Sequence, residues 1–224
     1  MATTWAIGDV HGQAELLKTL LDYLPLHRED TIIFMGDLID RGPDSAGVLA
    51  LVHQLQRTHK VIYLRGNHEA MALKARNNRS AIAHWIDCGG DATLESYRAN
   101  TFDDIPEADW ALLQSSHLYH ETERDIYVHA NLDPDIPMAS QSESDLLWRF
   151  LEDPPIHQSG KFVICGHTEQ SSGLPRFWGS GICIDTLGTN GRGWLSAVNA
   201  QRRAFWQVND QNSRRCDTFE ALSQ

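Results

Sequence analysis

Five short apolar runs in this chain of 224 residues stop in the same way. Residues 4–8 run into Gly8-Asp9-Val10-His11-Gly12, and residues 31–36 into Gly36-Asp37-Leu38-Ile39-Asp40-Arg41-Gly42. Residues 60–66 run into Gly66-Asn67-His68-Glu69, residues 125–130 carry His129-Ala130, and residues 161–167 reach Gly166-His167-Thr168. Their apolar, β-rich make-up reads as strands. Between the first three lie stretches with helical spacing: Leu16, Leu17, Leu20, Leu21 and Leu24 within 13–24, then 44–56 with Pro43 suited to its first turn, and a third helix expected over 68–77. A β-α-β-α-β order implies a parallel sheet. In such sheets ligands bind at the carboxyl ends of the strands, so the five polar ends are expected to meet on one rim.

The residues at those ends are carboxylates, imidazoles and one amide oxygen, a donor set that suits a pair of divalent ions. Glycine beside the donors of four of the five ends lets the backbone turn sharply and leaves room for a substrate. A single Gly-Asp or Gly-His is more often a turn than a site; five in order along one chain reverse that balance. A formal charge of −11 argues against a non-specific nucleic-acid binder, and an acidic protein acting on an anion needs local positive charge, which bound metal would supply.

The chain is 42% apolar, enough for one sizeable core, and a single domain is expected over 1–210 with a loose polar tail over 211–224. Residues 80–117 read as helical and irregular, and 181–186, 193–199 and 202–209 as antiparallel strands. No run is long and apolar enough for a membrane span, and no signal peptide is visible. Cys88, Cys165, Cys183 and Cys216 form no C-x-x-C pair, Cys165 and Cys183 read as core residues, and a reducing cytoplasm is the expected compartment.

GDVHG (8–12), GDLIDRG (36–42), GNHE (66–69), the strand-ending His129 and GHT (166–168) together resemble the signature of the phosphoprotein phosphatase family of metallophosphoesterases, and DLLW (145–148) with GICIDT (181–186) resembles its bacterial members. The resemblance implies an α/β fold, a four-layer α-β-β-α sandwich with two central mixed sheets. It implies that Asp9 and His11 bind one metal, that Asp37 bridges, and that Asn67, His129 and His167 bind the second. Manganese is the expected ion, with iron or zinc as alternatives. A hydroxide bridging the two ions would attack phosphorus in line, with His68 as general acid held by Asp40. Arg41 and Asn67 would bind the phosphoryl group, with Arg149 as the second arginine and Arg124 and Arg176 as weaker alternatives.

The implied activity is that of a phosphomonoesterase: first a protein serine/threonine phosphatase with tyrosine activity as an added capacity, next a symmetrical diadenosine tetraphosphate hydrolase. A non-catalytic phosphopeptide-binding module is the reading from another class. The expected partner is a phosphoprotein or small phosphoester, with neither nucleic acid nor membrane. Glu169 stands where nucleases and cyclic-nucleotide phosphodiesterases of the wider superfamily carry a second histidine. Two departures flank the expected cleft: Asn131 follows His129-Ala130 where relatives carry glycine, and Leu187-Gly188 follows Asp185-Thr186 where relatives read IDTG. Asn131 is expected to supply left-handed backbone in glycine's place. Glu69 reads as a local cap, Trp85, Trp110, Trp178, Trp194 and Trp206 as core or rim, and His27, His53, His59, His84, His117, His120 and His157 as surface or satisfied residues.

Overall fold

A computed structural model describes residues 2–187 and 193–223. Its elements, in order, are β1 (Thr4–Ile7), α1 (Ala14–Tyr23), β2 (Thr31–Phe34), α2 (Ser45–Gln56), β3 (Lys60–Tyr63), α3 (Asn67–Asn77), α4 (Ile82–Trp85), α5 (Asp91–Tyr97) and α6 (Glu107–Gln114). Then come β4 (Tyr119–Glu121), β5 (Asp125–Val128), α7 (Glu143–Trp148), β6 (Phe162–Cys165), β7 (Arg176–Phe177), β8 (Gly181–Cys183), β9 (Trp194–Asn199), β10 (Ala204–Asn209) and β11 (Arg214–Thr218).

The strands form two mixed sheets, as the resemblance implies. The first has the order β11-β10-β9-β1-β2-β3, with β1, β2 and β3 parallel and β9 to β11 antiparallel. The second has the order β4-β5-β6-β8-β7. Side-chain alternation explains the layering. On β1, Trp5 and Ile7 point to the helices, where they join Leu17, Leu20, Val48, Trp85 and Trp110. Ala6, between them, points the other way, and with Ile33 and Ile62 it meets Tyr127, Ile164 and Ile182 of the second sheet. Each fully buried aliphatic chain there contributes about 1.5–3 kcal/mol of transfer free energy. The fourth layer is thin: α7 and neighbouring loops cover Val128, Val163 and Cys165 on the outer face of the second sheet. Cys165 and Cys183 are buried free thiols in that face, as expected.

Two expectations need correction. Residues 181–183 run parallel to β6, with Ile164 opposite Ile182 and Cys165 opposite Cys183, and are antiparallel only to the two-residue β7. The long connection after β6 returns the chain to the starting end of the sheet, so β8 leaves in the same direction. The segment 211–224 is not a loose tail within its described part. Arg214–Thr218 pairs with β10, and Phe219, fully buried, stacks on Phe162 between the sheets. One aromatic anchor outweighs the polar composition around it.

Candidate dimetal and phosphate site

The ends of β1, β2 and β3 from one sheet, and of β5 and β6 from the other, open into a cleft of about 320 Å3. Asp9, His11, Asp37, Arg41, Asn67 and His167 line it. Two groups of metal-competent atoms gather there, His11–Asp37–His68 and Asp37–His129–His167, each with ligand atoms within 4.8 Å of one another. Asp37 belongs to both, the position a bridging carboxylate needs. Asp9 lines the same cleft outside these two groups, and its carboxylate accepts the His167 amide at 3.1 Å.

Hydrogen bonding fixes which ring nitrogens face the cleft. His11 Nδ1 donates to Ile39 O (3.1 Å) and His129 Nδ1 to Met35 O (2.9 Å). Burial depresses both rings' pKa values, His11 to about 3, so each is a neutral imidazole with its lone pair on Nε2. Those lone pairs point at oxygens: His11 Nε2 lies 3.6 Å from Asp37 Oδ2, and His129 Nε2 lies 3.0 Å from Asn67 Oδ1 and 3.6 Å from Asp37 Oδ1. His167 Nδ1 also meets Asn67 Oδ1, at 3.1 Å. At His129, whose Nδ1 proton goes to Met35 O, an acceptor nitrogen faces acceptor oxygens, an unfavourable arrangement that a cation between them reconciles. The residues present therefore fit divalent ions.

The carboxylates point the same way. Burial, then the charges of Asp185 and Asp37, push Asp9 well above the usual carboxylate range. Burial, Asp37 and Glu169 raise Asp185 to about 7. Asp37 is held low: burial opposes its charge, but the imidazoles around it, among which only His68 has its own pKa raised, prevail. Crowded buried anions of this kind are the natural complement of bound cations.

His68 differs from the other rings. Its Nδ1 donates to Asp40 Oδ2 at 2.8 Å, and its Nε2 is buried with no partner among the described residues. Burial would depress its pKa, but Asp37 and the Asp40 hydrogen bond overcome this and raise it. Asp40 is itself fully buried and held by two residues that no sequence motif marks: Trp85 Nε1 donates to Oδ2 (2.9 Å) and Thr93 Oγ1 to Oδ1 (2.7 Å). Trp85 is core, as expected, and also a hydrogen-bond donor to this carboxylate. The only local signal was the Gly89-Gly90 pair inside a helical stretch. Gly89, at φ +104°, brings its carbonyl to the Arg41 amide at 2.9 Å.

Local backbone shape sets the rest. Asn67 and His68 open α3, so their first-turn amides face the cleft, and the His68 amide donates to Asp37 Oδ1 at 3.1 Å. Glu69, fully buried, accepts from the amides of Asp37, Leu38 and Gly66 at 2.7–2.9 Å, tying the β2 and β3 loops together as a local cap. A Cβ at Gly66 would overlap Asp37 Oδ1, so this approach requires glycine. His11, Asp37, Asp40, Arg41 and His167 all have φ between 44° and 72°. Each left-handed non-glycine residue costs about 1–2 kcal/mol, so strain is concentrated where the functional groups are aimed.

Not every assigned residue reaches the cleft. Arg41 does, and its Nη1 donates to His11 Nε2 at 3.0 Å. Arg149 does not: it is exposed, pairs with Asp145 at 3.6 Å, and lines a neighbouring hollow. Arg149 leaves α7 in extended backbone, so Trp148 and Phe150 reach the cleft and the side chain between them points away. Arg176 also points elsewhere, donating to Leu151 O. Asn131 is not left-handed, contrary to expectation. It is buried, and its side chain accepts the Leu132 amide and donates to Phe150 O at 3.2 Å. Gly188 lies outside the described residues.

A family profile described as calcineurin-like phosphoesterase matches residues 2–191. Serine/threonine-protein phosphatase 2 of Escherichia coli (strain K12) is 32% identical over 194 residues, 83% of this chain and 82% of that protein. A symmetrical bis(5'-nucleosyl)-tetraphosphatase of Ectopseudomonas mendocina (strain ymp) is 32% identical over 139 residues, 60% of this chain and 47% of that one. Among solved structures, a candidate diadenosine tetraphosphatase superposes with a TM-score of 0.69 over 96% of this chain and 93% of that one, at 20% identity.

Proposed function

Because this chain belongs to the calcineurin-like phosphoesterase family and is a phosphoester hydrolase, we propose that it removes phosphate from phosphorylated protein side chains, serine and threonine first and tyrosine as well, with His68 as the general acid. The observation that carries the reading is the His68 ring, clamped at Nδ1 by Asp40, grouped with Asp37, and presenting a buried Nε2 that has no partner among the described residues. A leaving alkoxide or phenoxide needs a proton from such a group.

Asp9, His11 and Asp37 would hold one divalent ion, and Asp37, Asn67, His129 and His167 the other, with manganese the first ion to try. When bound, such a pair supplies Lewis-acid activation of the attacking water and neutralises phosphoryl charge. Arg41 grips phosphoryl oxygens through its fork of donors. Asp40 keeps the His68 proton on the nitrogen facing the leaving group. Glu69 and the strained loops keep these groups aimed before substrate arrives. The phosphoprotein reading draws on the serine/threonine phosphatase relative, which this chain matches over most of both lengths.

The match to a symmetrical dinucleoside tetraphosphatase favours a second reading, cleavage of a dinucleoside polyphosphate. The test is metal-stripped protein reloaded with Mn²⁺ and assayed in parallel on phosphoserine and phosphotyrosine peptides and diadenosine tetraphosphate. Peptide turnover far above dinucleotide turnover supports the first reading. The reverse establishes the second. No turnover with metal bound returns the binding-module reading.

A further inference from the structure

Two large apolar side chains stand uncovered at the mouth of the cleft. Among the described residues the exposed large hydrophobics are Trp148, Phe150, Ile156 and Leu174, and two of the four, Trp148 (42% exposed) and Phe150 (61%), line this cleft. Phe150 stacks on His167, with ring centroids 5.0 Å apart and planes 26° from parallel. One face of the phenyl ring is thus used, and the other is left open.

This exposure does not come from a slack loop. The Phe150 carbonyl accepts from Asn131 Nδ2, the Leu151 amide donates to Thr168 Oγ1 at 2.9 Å, and the Leu151 carbonyl accepts from Arg176. Leu151 is buried in the core beneath. Side chains from the β5 loop, the β6 loop and β7 therefore hold the backbone that carries the ring, and His167 supports one ring face. An apolar surface held rigidly in water beside a polar cleft marks a binding contact.

Resting on the phosphoesterase reading of the cleft, we propose that Trp148 and Phe150 form a stacking subsite for a planar aromatic ring carried by the phosphoester substrate. Offset stacking on an open aromatic face is favourable beyond simple area burial, and an alkyl ester has no π face to offer. The ring can be the aryl group of phosphotyrosine or the base of a nucleotide, and both satisfy the same chemistry. Asn131 acts at one remove, as a positioning residue that holds the Phe150 backbone.

The test measures calorimetric affinities of the manganese-loaded full chain for three non-hydrolysable probes: methylphosphonate, phenylphosphonate and the phosphonate analogue of adenosine monophosphate. The phenyl or adenosine probe is expected to bind about tenfold more tightly than methylphosphonate. Phe150→Ala should cut that ratio several-fold, Trp148 remaining in place, and Asn131→Ala should lower it in part. Phe150 is exposed enough for its removal to leave the fold intact, which thermal melting checks. A gain with phenyl alone assigns an aryl ester, and a gain with adenosine alone assigns a nucleobase. Ratios near one for both probes in the wild type, or a ratio that survives Phe150→Ala, overturn the subsite. The phosphoesterase reading fails separately, if the loaded wild type releases no phosphate from any ester.

Discussion

Asp40 accepts hydrogen bonds from Trp85, Thr93 and His68 on two oxygens, leaving its carboxylate little freedom to turn. His68→Asn should lower kcat by about 10²–10⁴-fold with poor leaving groups while both metals stay bound. Metal analysis of the purified variant decides the role, because His68 also falls within one of the two metal-competent groups. Loss of an ion would make it a ligand instead of the acid. Trp85→Phe keeps the packing but removes the indole donor, so Asp40 and then His68 should drift. Its kcat should fall about tenfold with alkyl esters and little with an activated aryl ester, whose leaving group needs no proton; a purely structural defect would lower both. The candidate ligand residues stand out in the sequence because carboxylate, imidazole or amide donors recur at the five strand ends, most of them beside a glycine. Trp85 and Thr93 do not: a buried tryptophan and threonine look the same in any core, and their partner lies some fifty positions away.

Glu69 shows what one side chain does for whole elements. It caps α3 and takes both amides of the β2 loop, so three segments meet on one buried carboxylate. Glu69→Gln would turn a donor toward those amides and should cost about 1–3 kcal/mol, seen as a lower chemical-denaturation midpoint. Asp30, buried at the foot of β1, plays a similar part, accepting from Thr3, Trp5 and His27. Burial opposes its charge, but the His27 and Thr3 amides and the Trp5 indole prevail and hold its pKa below the usual value. A depressed carboxylate stabilises the fold fully above its unfolded pKa, about 4, and loses that contribution as pH falls through the lower folded value. Asp30→Asn should therefore cost about 1–2 kcal/mol at neutral pH, with the gap to wild type closing in acid. Elements with strong period-two or helical patterns were visible in the sequence, including all five site strands. β7 and β11 were not, because two residues carry no period and Arg214–Thr218 is mostly charged. Its strand identity comes from the β10 ladder and from Phe219, not from its own side chains.

For the molecule as a whole, the cleft lies on the seam between two sheets. His11, Asp37 and Asn67 follow strands of the first sheet, and His129 and His167 follow strands of the second. Ions shared across that seam would staple the sheets. Each site filled at a hundred times its Kd should stabilise the native state by about 2.7 kcal/mol. Chelation should accordingly lower Tm by about 5–10 °C per ion, restored by Mn²⁺, as thermal melts would show. The same architecture bears on how the chain is made. β1 lies between β2, its near neighbour in sequence, and β9, where Trp5 pairs with Asn199. On the ribosome β1 emerges long before β9, and until then one of its edges is an open template for other nascent chains. A fragment stopped at residue 187 would hold every one of the polar strand ends and still lack that partner, and it should collect in the insoluble fraction.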